Sequence, residues 1–183
     1  LDALGIADRP AWVAVHPGAS AASRRYPPEQ FGTALADLHA RTGWPVVYTG
    51  DAAERDLVET VRDAAGGVGT SLAGQLSFPE LAALVAVAPL LITNNTGPAH
   101  LAAAVATPVV DLYALTNLQH TPWAVPSRIL SVDVPCRGCL RSVCPLGHNI
   151  CLRGVEPGEI VAATLDLARE VGLTVPAPLE VAR

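Results

Sequence analysis

Short apolar runs alternate along this chain with longer stretches whose apolar residues recur every three or four positions. Trp12-Val13-Ala14-Val15, Val46-Val47-Tyr48-Thr49, residues 90–93 and Val109-Val110-Asp111-Leu112-Tyr113 read as buried strands. Thr70-Ser71-Leu72 predicts a short strand beside them. The intervening stretches read as helices. Pro27-Pro28-Glu29 opens one that carries Phe31, Leu35 and Leu38 on one face and stops at Gly43. Asp51 with Glu54, and Ser77 with Glu80, have capping-box spacing and start two more, the second reaching Ala88. Residues 98–106 predict a further helix. Strands alternating with helices imply βαβ units and an α/β fold with a parallel sheet.

Past Tyr113 the pattern changes. Residues 114–123 read as a loop, 129–132 as an edge strand, and 136–151 as an irregular cysteine-rich loop. A last helix follows over 156–172, with Gly172 as its stop, and the tail 173–183 is expected to lie over the surface. The whole chain, 1–183, is expected to be one domain. Half the residues are hydrophobic and 16% are charged, which excludes a disordered tail protein. A net charge of −5 without a basic stripe gives no general attraction to nucleic acid. The longest apolar stretch, 81–92, is too short to span a bilayer and contains Pro89, so no transmembrane segment is expected. The first residues lack a basic, signal-like start, and there is no Met in the chain, as expected of a segment of a longer protein.

The densest chemical signal is Thr93-Asn94-Asn95-Thr96-Gly97-Pro98-Ala99-His100. An apolar run ends in a small polar turn, and Pro98 stands where a first helical residue belongs, since its missing N–H would be orphaned there anyway. Free backbone N–H groups and the positive end of the helix dipole then point at one spot, which suits an anion, and a phosphate above all. Thr96 adds a hydroxyl, Gly97 permits close backbone approach, and His100 lies one turn inside the helix.

In an open parallel sheet ligands bind at the carboxyl ends of the strands. Four predicted loops lie there: 16–25, 50–54, 94–100 and 114–119. Gly18, Ser20 and the Gly97 turn can donate to phosphate, Arg24 and Arg25 can neutralise it, and Glu54 can accept from ribose hydroxyls. The chain has neither a P-loop nor a Gly-x-Gly-x-x-Gly after any predicted strand. A P-loop NTPase and an ordinary NAD enzyme are therefore disfavoured.

His16-Pro17-Gly18-Ala19-Ser20, Arg24-Arg25-Tyr26-Pro27 with Phe31, Gly50-Asp51-x-x-Glu54, and Asn95-Thr96-Gly97-Pro98-x-His100-Leu101 together resemble glycosyltransferase family 9, the lipopolysaccharide heptosyltransferases. Cys-Pro-Leu-Gly-His at 144–148 is similar to the heptosyltransferase II type. The resemblance runs from about Trp12 to Val171. It implies the C-terminal, donor-binding half of a GT-B enzyme, a Rossmann-like parallel sheet with helices on both faces. The implied reaction is inverting transfer of a heptose from an ADP-sugar, ADP-heptose above all, to a glycolipid core. The catalytic base is expected in an N-terminal half outside this chain, so no catalytic residue is assigned here and the chain alone is expected to be inactive. The resemblance also implies a cytoplasmic place at the inner face of the bacterial inner membrane, and no metal in catalysis.

Carried over by position, Ser20, Arg24, Glu54, Asn95, Thr96, Gly97 and His100 are the expected donor-binding residues. Arg24 stands where the family usually has Lys, and Asn95 where it commonly has Asp. Ala114-Leu115-Thr116-Asn117 departs from the usual Gly-Pro-Thr. Plain structural readings stand beside these: Glu54 as an N3 cap, Thr96 as a helix cap, His100 as a core histidine, and His120 as a loop residue. Cys136, Cys139, Cys144 and Cys151, with His148 near, could hold a structural zinc, form two disulfides or remain thiols. Two alternatives remain for function: another GT-B protein such as a nucleotide-sugar epimerase, or a non-catalytic metal-binding interaction module.

Overall fold

The computed structural model describes residues 2–9, 11–114 and 117–176. The Leu115-Thr116 step of the 114–117 loop and the end of the expected surface tail lie outside them. Strands β1 (Val13–His16), β2 (Val46–Tyr48), β3 (Thr70–Ser71), β4 (Leu91–Asn94), β5 (Val109–Leu112) and β6 (Ser127–Leu130) form one sheet. Their order is β3-β2-β1-β4-β5-β6, and every neighbouring pair is parallel. This is the doubly wound arrangement, with its switch point between β1 and β4.

Helices cover both faces because the strand side chains alternate. Val13 and Val15 of β1 join a core with Phe31, Leu35 and Leu38 of α1 (Pro28–Thr42), Val58 and Val61 of α2 (Arg55–Ala64), and Ile160 and Leu167 of α6 (Pro157–Glu170). Ala14 faces the other way, toward Leu84 and Val85 of α3 (Phe78–Val87) and Ala102 of α4 (Gly97–Ala104). At the α1–α2 contact a Cβ on Gly32 would fall 2.4 Å from Cβ of Ala64 and 2.5 Å from the Val61 carbonyl oxygen.

Local signals set most boundaries. Gly43, at φ 65°, ends α1 and donates its N–H to the His39 carbonyl at 2.7 Å. Asp51 Oδ1 accepts from the N–H groups of Ala53 and Glu54, while Glu54 Oε2 accepts the Asp51 N–H at 3.0 Å. Glu80 Oε2 accepts the Ser77 N–H at 2.7 Å in the second box. Helix α4 begins at Gly97 rather than Pro98.

The largest displacement is at β6, which forms two residues before its expected start. Its register is set by pairing Val109 with Ser127 and Leu112 with Leu130. Arg128 reaches from it to Asp166 and Glu170 of α6, both at 2.6 Å. A strand with an arginine serving a neighbouring helix carries no plain apolar run. A short helix, α5 (Ile150–Arg153), closes the cysteine-rich segment. No helix among the described residues is long and apolar enough to cross a membrane.

Candidate functional site

A cleft of about 780 Å³ opens at the carboxyl ends of β1, β2 and β4. One flank carries His16, Ser20, Arg25 and Glu54, and the opposite one Thr96, Gly97, Pro98 and His100. Leu76, Phe78, Leu81 and Leu101 supply an apolar wall. Phe78 is 71% exposed there, a large aromatic face on the surface rather than in a core.

Thr96 is the N-cap of α4, with extended backbone (φ −155°, ψ −178°), but its side chain makes no capping bond. Its hydroxyl is therefore not spent on the helix. A Cβ added to Gly97 would meet nothing within 4 Å. The space beside this N-terminus is open, as the approach of a bulky anion requires. His100, one turn in, has its ring 6.4 Å from that of His120, edge to face. His120 carries no local signal for this neighbourhood, because nothing near it in the chain ties that loop to α4.

The end of β4 clamps the loop after β1. Asn94 donates through Nδ2 to the Pro17 carbonyl at 2.6 Å and accepts the Tyr26 N–H at 3.1 Å. Thr93 Oγ1 donates to the His16 carbonyl at 3.1 Å. These three bonds set the stretch carrying Ser20, Arg24 and Arg25 against the anion turn. Arg25 lines the cleft, and its Nε donates to the Ala19 carbonyl at 2.6 Å. Arg24 does not line it; its Nε is buried with no hydrogen-bond partner among the described residues. Asn95 lies behind the turn, 2% exposed, and its Nδ2 also lacks a partner there. The structure thus gathers Ser20, Glu54, Thr96, Gly97 and His100 around one space and sets Arg24 and Asn95 outside its lining.

Glu54 serves as the N3 cap described above and lines the cleft as well. Its carboxylate packs on Gly18, where an added Cβ would lie 2.0 Å from Oε1. His16 is buried beneath it, with Nδ1 at 3.0 Å from Thr49 Oγ1. Thr49 donates its hydroxyl proton to the Val15 carbonyl, so the ring nitrogen is the donor to Thr49. Burial lowers the His16 pKa, and this outweighs the pull of Glu54 and Asp51 in the other direction.

Elsewhere, Asp111 is fully buried in β5 with neither carboxylate oxygen bonded among the described residues, and burial pushes its pKa up to about 7. None of the four cysteines is in a disulfide. All four border one small cavity, but among the described residues no three His, Cys, Asp or Glu side chains are gathered to hold an ion.

Residues 2–150 match the family described as glycosyltransferase family 9 (heptosyltransferase). The chain is 36% identical over 129 residues to lipopolysaccharide heptosyltransferase 3 of Escherichia coli, a match covering 68% of this chain and 37% of that protein. It is 34% identical over 145 residues to lipopolysaccharide heptosyltransferase 1 of Pseudomonas aeruginosa, covering 78% of this chain and 38% of that one. The solved structure of E. coli ADP-heptose LPS heptosyltransferase II aligns with a TM-score of 0.77 over 92% of this chain and 50% of that chain. At 20% identity that likeness speaks for the fold, the Rossmann-like α/β domain of GT-B glycosyltransferases. The chain spans less than two-fifths of the length of the two curated relatives. The matched stretch contains the anion turn, the loop after β1 and the Asp51–Glu54 box together, and on that ground the chain belongs to glycosyltransferase family 9, the heptosyltransferases.

Proposed function

We propose that this chain is the C-terminal, donor-binding half of an enzyme that transfers heptose from ADP-heptose to the lipopolysaccharide inner core, with inversion. The observation that carries this is the cleft itself: a helix N-terminus with an uncapped threonine, an arginine and a buried-side carboxylate facing an apolar wall. That is the complement of a nucleoside diphosphate. Its base packs on Phe78 and Leu81, its ribose hydroxyls donate to Glu54, and its diphosphate meets Ser20, Arg25, Thr96, Gly97 and His100. Arg24 Nε and Asn95 Nδ2 are buried donors lacking partners among the described residues, as expected close to an anion-binding turn. The curated relatives are heptosyltransferases by name, and the E. coli structure is of an ADP-heptose enzyme.

In this reading the chain's work is to stabilise the departing ADP. Negative charge grows on the diphosphate as the bond to the sugar breaks, and fixed N–H dipoles and a guanidinium meet it without reorganising. A metal ion is not needed for that step. The acceptor hydroxyl gives its proton to a base on the other half of the enzyme, which also holds the glycolipid. The reaction is placed at the cytoplasmic face of the bacterial inner membrane, where the other half meets the lipid. Family membership displaces the epimerase and interaction-module readings. Calorimetric titration of this chain with ADP, UDP, GDP and ADP-heptose tests the proposal. Saturable binding of ADP and ADP-heptose, weakened by Gly97→Val, is expected. Failure of all four to saturate would overturn it, and detectable sugar transfer by the chain alone would overturn the division of labour.

A further inference from the structure

Residues 134–154 contain little regular structure beyond α5. Four of their large apolar side chains face out: Leu140, Val143, Leu146 and Ile150 are 66, 69, 61 and 47% exposed. Val134 and Leu152 are buried at the two ends of the segment, so little apolar packing fixes the turns between them. What the segment turns inward there is sulfur. Cys136, Cys139, Cys144 and Cys151 all border one enclosed cavity of about 20 Å³, together with Ser23 and His148. That is room for roughly one water or small ion. The turns that present the thiols pass through left-handed backbone at Gly138, Leu140, Gly147 and Asn149. The Asn149 N–H donates to Cys144 Sγ at 3.4 Å.

We infer that Cys136, Cys139, Cys144 and Cys151 are the ligands of one structural, thiophilic divalent cation, with zinc as its ordinary occupant. Four thiolates complete a tetrahedral shell and leave no open position, so the ion takes no part in sugar transfer. The four side chains border the same space but are not gathered around one point among the described residues, so the site requires these short side chains to turn inward by χ1 rotation as the ion binds. Each thiol gives its proton to solvent as it binds. His148 stays outside the set: its Nδ1 accepts the Ile150 N–H at 3.1 Å and serves the local turn.

The site has a consequence for the donor cleft. Ser23 donates its hydroxyl to the Arg141 carbonyl at 2.6 Å and its N–H to the Ser142 carbonyl at 3.0 Å. Arg24 and Arg25 follow directly in the chain. An ion that fixes the cysteine block therefore fixes the backbone from which both guanidiniums extend.

The test uses the chain purified under reducing conditions, its metal measured by mass spectrometry and, after chelation, titrated with Co²⁺. About one zinc per chain is expected, with a thiolate-to-cobalt charge-transfer band that saturates near one equivalent. Cys139→Ser and Cys144→Ser should each weaken Co²⁺ binding by roughly tenfold or more, and His148→Ala should leave it unchanged. Should the serine variants fail to fold, thiol counting on the unaltered chain decides: zinc should shield all four cysteines from a thiol reagent, and chelation should expose them. A folded chain with no bound metal, no cobalt band and four reactive thiols would overturn the site. So would loss of the band in His148→Ala with retention in Cys151→Ser. These readouts do not involve nucleotide, so the site and the donor-binding proposal fail separately. Weaker ADP binding after chelation is the expected link between them.

Discussion

His16 Nε2 and Glu54 Oε2 face each other across 3.6 Å, yet they do not form an ordinary ion pair. Burial holds the imidazole below its usual range, so at neutral pH the ring is uncharged. The ring serves as a wedge: it bonds Thr49 on one side and backs the carboxylate on the other.

This arrangement makes the fold sensitive to acid. A histidine whose folded pKa is lowered binds its proton better when unfolded, so stability falls as pH drops below the ordinary value of 6.5 toward the lower folded value. His16→Gln removes that contribution. Urea unfolding at pH 8 and pH 5.5 should show a smaller acid loss for the variant than for the unaltered chain. An identical loss would show that His16 does not carry it.

Asp111 works in the opposite direction. Its folded pKa of about 7 lies above the ordinary aspartate value of 3.8, so the folded state holds the proton more tightly. Its effect is harmless below pH 3.8 and grows destabilising as pH rises through 7, reaching at most roughly 4 kcal/mol at about 1.4 kcal/mol per unit. Asp111→Asn should raise stability at pH 8, change it little at pH 4, and flatten the profile between. Equal effects at both pH values would show that ionisation is not the cause.

Gly18→Ala should act on donor binding more than on folding. Its Cβ would land on the Glu54 carboxylate, the mobile end of a side chain, which can swing aside. The displaced carboxylate would lose a charge-assisted bond to the ribose, about 1.5–3 kcal/mol, or roughly ten- to a hundredfold in ADP affinity. Unchanged affinity with the fold intact would remove Glu54 from the ribose site.

The two adjacent arginines should separate. Arg25 lines the cleft and Arg24 does not. Arg25→Ala is therefore expected to weaken ADP binding by roughly tenfold or more, and by more than Arg24→Ala. Calorimetry on both variants compares them, and the reverse order would transfer the phosphate role to Arg24.

Gly32→Ala should cost stability alone, by about 1–3 kcal/mol, because backbone of α2 lies where the new methyl would go. Chemical unfolding measures this. ADP affinity of the folded variant should match that of the unaltered chain.

The sequence by itself determined the kind and order of the strands and of the longer helices α1, α2, α3, α4 and α6, and the polar turn that opens α4, but not the short helix α5. Both expected capping boxes form, at Asp51–Glu54 and Ser77–Glu80, and Gly43 ends α1 as expected. These features were legible because caps, helix periodicity and proline positions act within a turn or two of chain. Tertiary structure decided the rest. It chose Arg25 over its neighbour to line the cleft, sank Asn95 behind the turn, and set His16 under Glu54. It brought His120 beside His100, and it moved β6 to where Arg128 reaches α6. Each of these outcomes depends on which distant segments pack together, and the direction of a side chain follows from that packing rather than from its neighbours in sequence.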